Sequence, residues 1–356
     1  MSRKLNNFYK KYFSELAFSL AKLNKFTTGP NPSVGCVVTN LTNDIISVGT
    51  TSINGRPHAE HNALSRLTSN TKKRIFVTME PCSHFGKTPP CTGIIKKKNV
   101  KEVYYSYIDT NPIVNGNGVN QLKEKKILVS RINSSDKNFY KKYDYSVKSK
   151  VPYVTSKLAL TKNFSTILSG KKYFTNNQSL KFAHLLRYIN DSILVGKNTF
   201  LKDIPKLDCR LSGLGKFSPK IFVINPDLSI RAEHYNLYKK KITIFHASNN
   251  LSKIKKYKNY FHLIKLKKLE NLIDVSSILK TIYSHGCRRL LIEGGLKTLE
   301  CFKKNNYINK YHFIFSNLTS INTKLSAKQL ISSLPVNRLS RYKQSINLLN
   351  DKLFSI

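Results

Sequence analysis

"RPHAEHNAL" (Arg56–Leu64) and "EPCSHFGKTPPC" (Glu80–Cys91) decide how the first half of this chain is read. The chain holds 6 cysteines, and two of them, Cys82 and Cys91, bracket a short polar loop. A disulfide, a metal site and coincidence are the three readings of that pair. His58 and Glu60 discriminate, because a disulfide leaves them without a purpose. One histidine and two cysteines make three ligands and leave a fourth tetrahedral position open, as in a catalytic zinc site. Glu60 stands beside the ligand in sequence and is not needed on the metal, which suits a proton shuttle. Cys36, Cys209, Cys287 and Cys301 have no such company and read as buried free thiols.

Working outward, "NFYKKYFSELAFSLAKL" carries apolar residues at helical spacing and predicts an amphipathic helix, not a signal peptide. "VGCVVT" and "DIISVGTTS" predict two strands, "HAEHNALSRL" a helix, and "RIFVTME" a strand ending at the first cysteine. Pro89 and Pro90 predict a helix starting at Cys91. "EVYYSYID", "NGNGVNQLKEKK" and "ILVSRI" continue the alternation, so this half is α/β with a mixed sheet. A basic helix ends near Lys150 and Pro152 opens a second α/β half. Its expected strands are 153–160, "SILVG", "KIFVIN", "KITIFH", "RLLIEGG" and "YHFIFSN", with helices near 177–189, 274–284 and 296–304. The domain boundaries expected are 1–147 and 151–356.

The 356 residues suit two domains. No apolar run approaches a membrane span, so a cytoplasmic protein without membrane contact is expected. The net charge of +42 raises nucleic-acid binding. The lysines are scattered, Trp is absent, and no Arg-rich cluster stands out, so compositional drift without specific nucleic-acid recognition is the expectation.

"TTGPNPSVGCVV", "HAEHNAL" and "EPCSHFGKTPPCTGII" resemble the bifunctional riboflavin-biosynthesis deaminase/reductase family. That family has an insertion between the two cysteines, which accounts for the long loop at the rim of the pocket. The resemblance implies a cytidine-deaminase-like three-layer domain followed by a dihydrofolate-reductase-like α/β domain. It implies zinc on His58, Cys82 and Cys91, with Glu60 catalytic. The substrate implied is 2,5-diamino-6-ribosylamino-4-pyrimidinone 5′-phosphate, with Asn31, His84 and Lys87 contacting it. Lys87 is a point charge suited to phosphate.

In the second half "SKLALT", "HLLRYINDSILVGKNTFLKDIPKLDCR" and "IEGGLKTL" are similar to the family's reductase. The resemblance implies NADPH against Ala159, Phe174, Thr199, Asp203 and Gly295, and substrate against Lys172, Arg187, Leu207, Arg210 and Glu293. Lys157 is implied near the nicotinamide. Without the resemblance, Gly294-Gly295 before a helix is a weak phosphate signal. Departures from the family are Asn163-Phe164 for Asp-Gly and Asn309-Lys310 for Asp-Glu. A Phe in place of Gly is expected to displace the backbone by forbidding positive φ, and so to slow reduction. The alternatives are a deaminase with an eroded reductase half, an RNA-directed zinc deaminase, and a basic nucleic-acid-binding structural protein. A homo-oligomer is compatible with all of this.

Overall fold

Strand faces in the first half sort the apolar residues into two layers. The computed structural model describes residues 5–86, 88–133, 136–169, 174–203, 206–230, 242–269, 272–321, 326–332 and 346–356, with backbone alone at 202–203, 268–269 and 272–273. The chain divides into two units, 1–149 and 150–356. Among the described residues no helix is long and apolar enough to cross a membrane.

The first unit is built on strands β1 (Gly35–Thr39), β2 (Ile45–Thr50), β3 (Lys73–Met79), β4 (Val100–Tyr107) and β5 (Leu128–Arg131), in the order β2-β1-β3-β4-β5. β1 runs antiparallel to both neighbours, while β3, β4 and β5 are parallel. Side chains alternate across a strand. Val37, Phe76 and Tyr104 therefore share one face, where Phe13 and Ala17 of helix α1 (Asn7–Leu23) cover them. Phe76 stacks on Tyr104 with centroids 4.9 Å apart. Cys36, Val38, Ile75, Val77 and Val103 point to the other face. Helices α2 (Ala59–Leu64), α3 (Cys91–Lys97) and α4 (Asn117–Glu124) bury Ala59, Ala63, Leu64, Ile95 and Leu122 there. The result is three layers. The helix begun at Ala59 stops at Leu64, short of the Leu67 that its spacing allows.

Helix α5 (Lys141–Ser149) closes the first unit, and β6 (Tyr153–Leu160) opens the second. The other elements that position the second site are α6 (Asn177–Ile189), β7 (Ser192–Gly196), α7 (Lys197–Asp203), β8 (Lys220–Ile224), β9 (Ile242–His246), α8 (Leu251–Lys258), β10 (His262–Lys265), a two-strand ladder β11 and β12 (Lys268–Leu269, Leu272–Ile273), α9 (Val275–Ser284), β13 (Arg289–Glu293), α10 (Leu296–Lys304), β14 (Lys310–Phe315), β15 (Ile346–Leu348) and β16 (Asp351–Ser355). The large sheet has the order β10-β9-β8-β7-β13-β6-β14-β16-β15. It is parallel up to β14, and β16 and β15 add an antiparallel edge. Near-continuous apolar strands such as "RLLIE" suit a parallel sheet covered on both faces. The C-terminal hairpin has little apolar pattern. It is held by Asp351, whose carboxylate accepts from the Asn176 N–H (2.8 Å) and the Ser179 hydroxyl (2.6 Å) at the start of α6.

Candidate metal centre and candidate cofactor pocket

Three segments converge on the metal centre. β2 leads through a short turn to Arg56, Pro57 and His58, the residue before α2. α2 lies tight on β2 because Gly49 has no side chain: a Cβ there would stand 2.3 Å from the Ala59 carbonyl oxygen. β3 ends at Met79 and delivers Glu80, Pro81 and Cys82, and Cys91 is the first residue of α3. One ligand atom from each of His58, Cys82 and Cys91 lies within 4.8 Å of the others. The His58 Nδ1 is 3.5 Å from Cys82 Sγ and 3.4 Å from Cys91 Sγ. The Cys91 N–H points at Cys82 Sγ at 3.4 Å, and the Thr92 N–H donates to the Cys82 carbonyl at 3.2 Å.

Electrostatics suit a cation. The Cys91 thiol donates to Cys82 and, over opposing burial and with help from His58, brings the Cys82 thiol down to about 4. The same contact and burial push the Cys91 thiol up. Burial pulls the His58 imidazolium down, but Cys82 and Glu60 outweigh it and the net shift is upward. An imidazole nitrogen and two sulfurs at these separations form a soft donor set that fits zinc. Glu60 is 3% exposed, and burial raises its carboxyl to about 7 against the opposing pull of His58. It lies beside the Cys91 thiol.

Around this centre, the Asn31 amide donates to the Gly55 carbonyl at 2.9 Å, which locks the turn leading to His58. His84 is half-buried on the inter-cysteine loop and its Nδ1 is buried without a partner among the described residues. Lys87 lies outside the described residues. Two participants escaped the sequence reading. Glu80, 4% exposed, accepts from the backbone N–H groups of Gly116, Gly118 and Val119 at 3.0, 3.0 and 3.2 Å. It caps α4, whose N-cap Gly116 has no side chain to do so, and it anchors the strand end that carries Cys82. Arg56 donates to the Thr88 hydroxyl of the inter-cysteine loop. Nothing local in the sequence marks either contact.

In the second unit a charged row crosses the sheet. Register pairs Glu293 of β13 with Lys157 of β6, and Lys157 with His312 of β14. Arg187 of α6 grips Glu293 with both arms, Nε to Oε2 at 2.8 Å and Nη2 to Oε1 at 2.9 Å. Lys157 Nζ stands 3.7 Å from the same carboxylate. Burial pushes the Glu293 carboxyl up, and Arg187 and Lys157 together outweigh it, so it is held below its ordinary value. Arg187 also donates to the Asp208 carbonyl at 3.1 Å, tying down the segment with buried Leu207 and exposed Arg210. The five groups Lys157, Arg187, Leu207, Arg210 and Glu293 are thus linked, and Arg210 Nε reaches His184 Nε2 at 3.3 Å.

The cofactor side is a cradle. Gly294 and Gly295 turn at φ +72° and +74°, ahead of α10. A Cβ on Gly294 would stand 2.9 Å from Thr199 Cγ2, and one on Gly295 would stand 3.0 Å from Thr199 Oγ1. Thr199, Gly295 and Thr298 therefore meet where bare backbone N–H groups face a helix start, a fit for a cofactor phosphate. Ala159 lies two residues along β6 from Lys157 on the same half-open face. The Phe174 carbonyl accepts from Ser316 Oγ at 2.7 Å. Lys172 and the side chain of Asp203 lie outside the described residues.

The expected backbone displacement at Phe164 is not met. Phe164 itself takes the left-handed conformation, φ +65°, and its ring packs edge-on against Phe315 at 5.5 Å. Asn163 holds the loop: its Oδ1 accepts from Thr161 Oγ1 (2.7 Å) and the Ser320 N–H (3.0 Å), and its Nδ2 donates to the Ser320 carbonyl (2.7 Å). An aspartate could not make that donation. Asn309 likewise seeds the β14–β6 pairing, its Oδ1 accepting from the Val154 N–H at 2.7 Å. Cys301 is half-buried, unlike the buried Cys36, Cys209 and Cys287.

Comparison with known proteins matches two family models. Residues 9–107 match the cytidine and deoxycytidylate deaminase zinc-binding region, and residues 155–319 match the RibD C-terminal domain. The riboflavin biosynthesis protein RibD of Aquifex aeolicus is 32% identical over 84% of this chain and 85% of its own length. That of Bacillus amyloliquefaciens is 31% identical over 86% and 84%. Among solved structures, RibD of Acinetobacter baumannii superposes with a TM-score of 0.83 at 21% identity, covering 98% of both chains. The diaminohydroxyphosphoribosylaminopyrimidine deaminase/5-amino-6-(5-phosphoribosylamino)uracil reductase of Thermotoga maritima superposes with a TM-score of 0.78 at 25% identity, also over 98% of both. The expected folds, deaminase-like and dihydrofolate-reductase-like, hold for the two units.

Proposed function

This chain belongs to the RibD family of riboflavin biosynthesis, and we propose that its first unit is the zinc-dependent deaminase and its second the NADPH-dependent reductase. The observation that supports this most is the convergence of His58, Cys82 and Cys91 beside a buried Glu60. The enzyme works on a small molecule, and we assign it the diaminopyrimidine ribotide named above.

His58, Cys82 and Cys91 would hold zinc, which supplies an activated water at neutral pH. Glu60, buried beside these ligands, would hold and move the proton between the attacking water and the leaving amine, so that deamination releases ammonia. A carboxyl near 7 can carry the proton in both directions. In the second unit Thr199, Gly295 and Thr298 would seat NADPH, which supplies hydride to the ribosyl C1′. Lys157, Arg187 and Glu293 orient the sugar, and Arg210 offers a guanidinium for its phosphate. Intact charged contacts at both pockets favour a working reductase over an eroded one. The free cysteines suit a reducing, cytoplasmic setting. Scattered lysines favour no specific nucleic-acid partner.

The test follows ammonia and NADPH separately with purified, zinc-loaded protein and the ribotide. Both signals are expected in sequence. Ammonia without NADPH oxidation would leave a deaminase alone. Cys82→Ser should lose zinc and ammonia release together, and equal zinc in both proteins would remove Cys82 from the ligand set.

A further inference from the structure

Helix α6 places His184 three residues before Arg187, on one side of the helix. Both side chains reach the segment beyond α7. Arg187 Nη1 and His184 Nδ1 each lie 3.1 Å from the Asp208 carbonyl oxygen. On the other side of the ring, Arg210 Nε stands 3.3 Å from His184 Nε2. An arginine Nε–H can only donate, so Nε2 accepts, and a neutral ring then carries its hydrogen on Nδ1 and donates it to the Asp208 carbonyl. The Arg210 backbone N–H approaches Nδ1 at 3.3 Å, the longer of the two contacts at that nitrogen. The charges facing the imidazole are Arg187 on its own helix, Arg210 and the Asp208 carboxylate beyond α7, and Glu293 on β13. Burial, Arg187 and Arg210 hold the imidazole below its ordinary value, against the Asp208 carbonyl and Glu293, so it is neutral at pH 7. The Arg210 side chain is 52% exposed, and an arginine that exposed loses rotamer freedom when it settles on a ligand. Pinning its Nε beforehand removes part of that cost. It leaves the two terminal nitrogens, which have no hydrogen-bond partner among the described residues.

We propose that neutral His184 is a positioning residue for the reduction: it holds the Nε edge of Arg210 and keeps the terminal nitrogens of that guanidinium for the ribosyl phosphate. This rests on the reading of Arg210 given above. Protonation turns Nε2 into a donor facing a cation, so the contact is lost in acid and Arg210 is released. The competing role is a purely structural tie between α6 and the Asp208 segment.

The test uses full-length protein with the deaminated ribotide, and reads kcat and KM from NADPH oxidation between about pH 5 and 8. At the upper end His184→Ala should raise the ribotide KM about 10-fold while kcat stays within about twofold. His184→Gln has an amide oxygen that accepts from Arg210 and does not protonate, so it should stay within about threefold of wild type there. Below about pH 6 the wild-type KM should climb about threefold or more relative to that of His184→Gln, a ratio in which the phosphate's own ionisation cancels. NADPH affinity, titrated on each protein, reports folding of the second unit. If His184→Ala loses it, the comparison of wild type with His184→Gln decides. An unchanged KM in His184→Ala, a loss confined to kcat, or a wild-type to His184→Gln ratio flat with pH overturns the assignment. Arg210→Ala separates the two readings. An unchanged KM there removes Arg210 from the phosphate and His184 with it, whereas a raised KM there beside an unaffected His184→Ala removes His184 alone.

Discussion

Replacing Glu80 with alanine strips the carboxylate from three backbone donors at once. The Gly116, Gly118 and Val119 N–H groups lie at 3.0 to 3.2 Å from it, and the carboxylate is buried. Hydrogen bonds to a charged group contribute about 1.5–3 kcal/mol each. Water entering the vacated space re-solvates part of the loss, so we expect about 3–5 kcal/mol in total. For a unit of this size 1 kcal/mol shifts Tm by about 2–4 °C, which gives a fall of roughly 6–20 °C. Glu80→Gln should lose about half as much, because one amide oxygen still accepts while the NH2 faces a donor. Cys82 follows two residues later, so zinc content should drop with stability. Calorimetry of the zinc-loaded protein, scored on the first unit's transition, and metal analysis of the same samples check both effects. A Glu80→Ala protein that keeps full zinc and melts within about 2 °C of wild type would refute the capping argument.

Glu60→Gln should keep zinc and the fold while ammonia release falls by about 100-fold or more, measured in single-substrate assays. Phe164→Gly should leave NADPH oxidation within about twofold and stability within about 1 kcal/mol, since relief of the left-handed φ is offset by the lost ring contact and by glycine's entropy. The Glu293 carboxyl is held below its ordinary value, so its contribution to stability is full above about pH 4.3 and is lost as pH falls through its lower folded-state value. Acid unfolding of wild type should therefore show a limb, below that pH, that Glu293→Gln flattens, and identical acid limbs in the two proteins would count against the Arg187–Glu293–Lys157 cluster.

Element type and the candidate metal ligands were legible along the chain because both are local. The strand-to-Cys82 and helix-start-at-Cys91 contexts come from β-rich runs and from Pro90, and His58 and Glu60 share one short motif, so spacing alone brought chemistry and backbone together. The tertiary structure decided what depends on which strands and helices become neighbours. Glu80 caps a helix 36 residues downstream, Arg187 closes on Glu293 across 106 residues, and Arg56 reaches Thr88 across 32. Phe164 shows the same division in reverse. Residue type predicted a displaced backbone, but the hydrogen bonds of Asn163 to Ser320 and the face of Phe315 hold it in the left-handed conformation. A local preference of about 1–2 kcal/mol yields wherever several long-range contacts agree on one geometry, and no stretch of sequence read by itself contains those contacts.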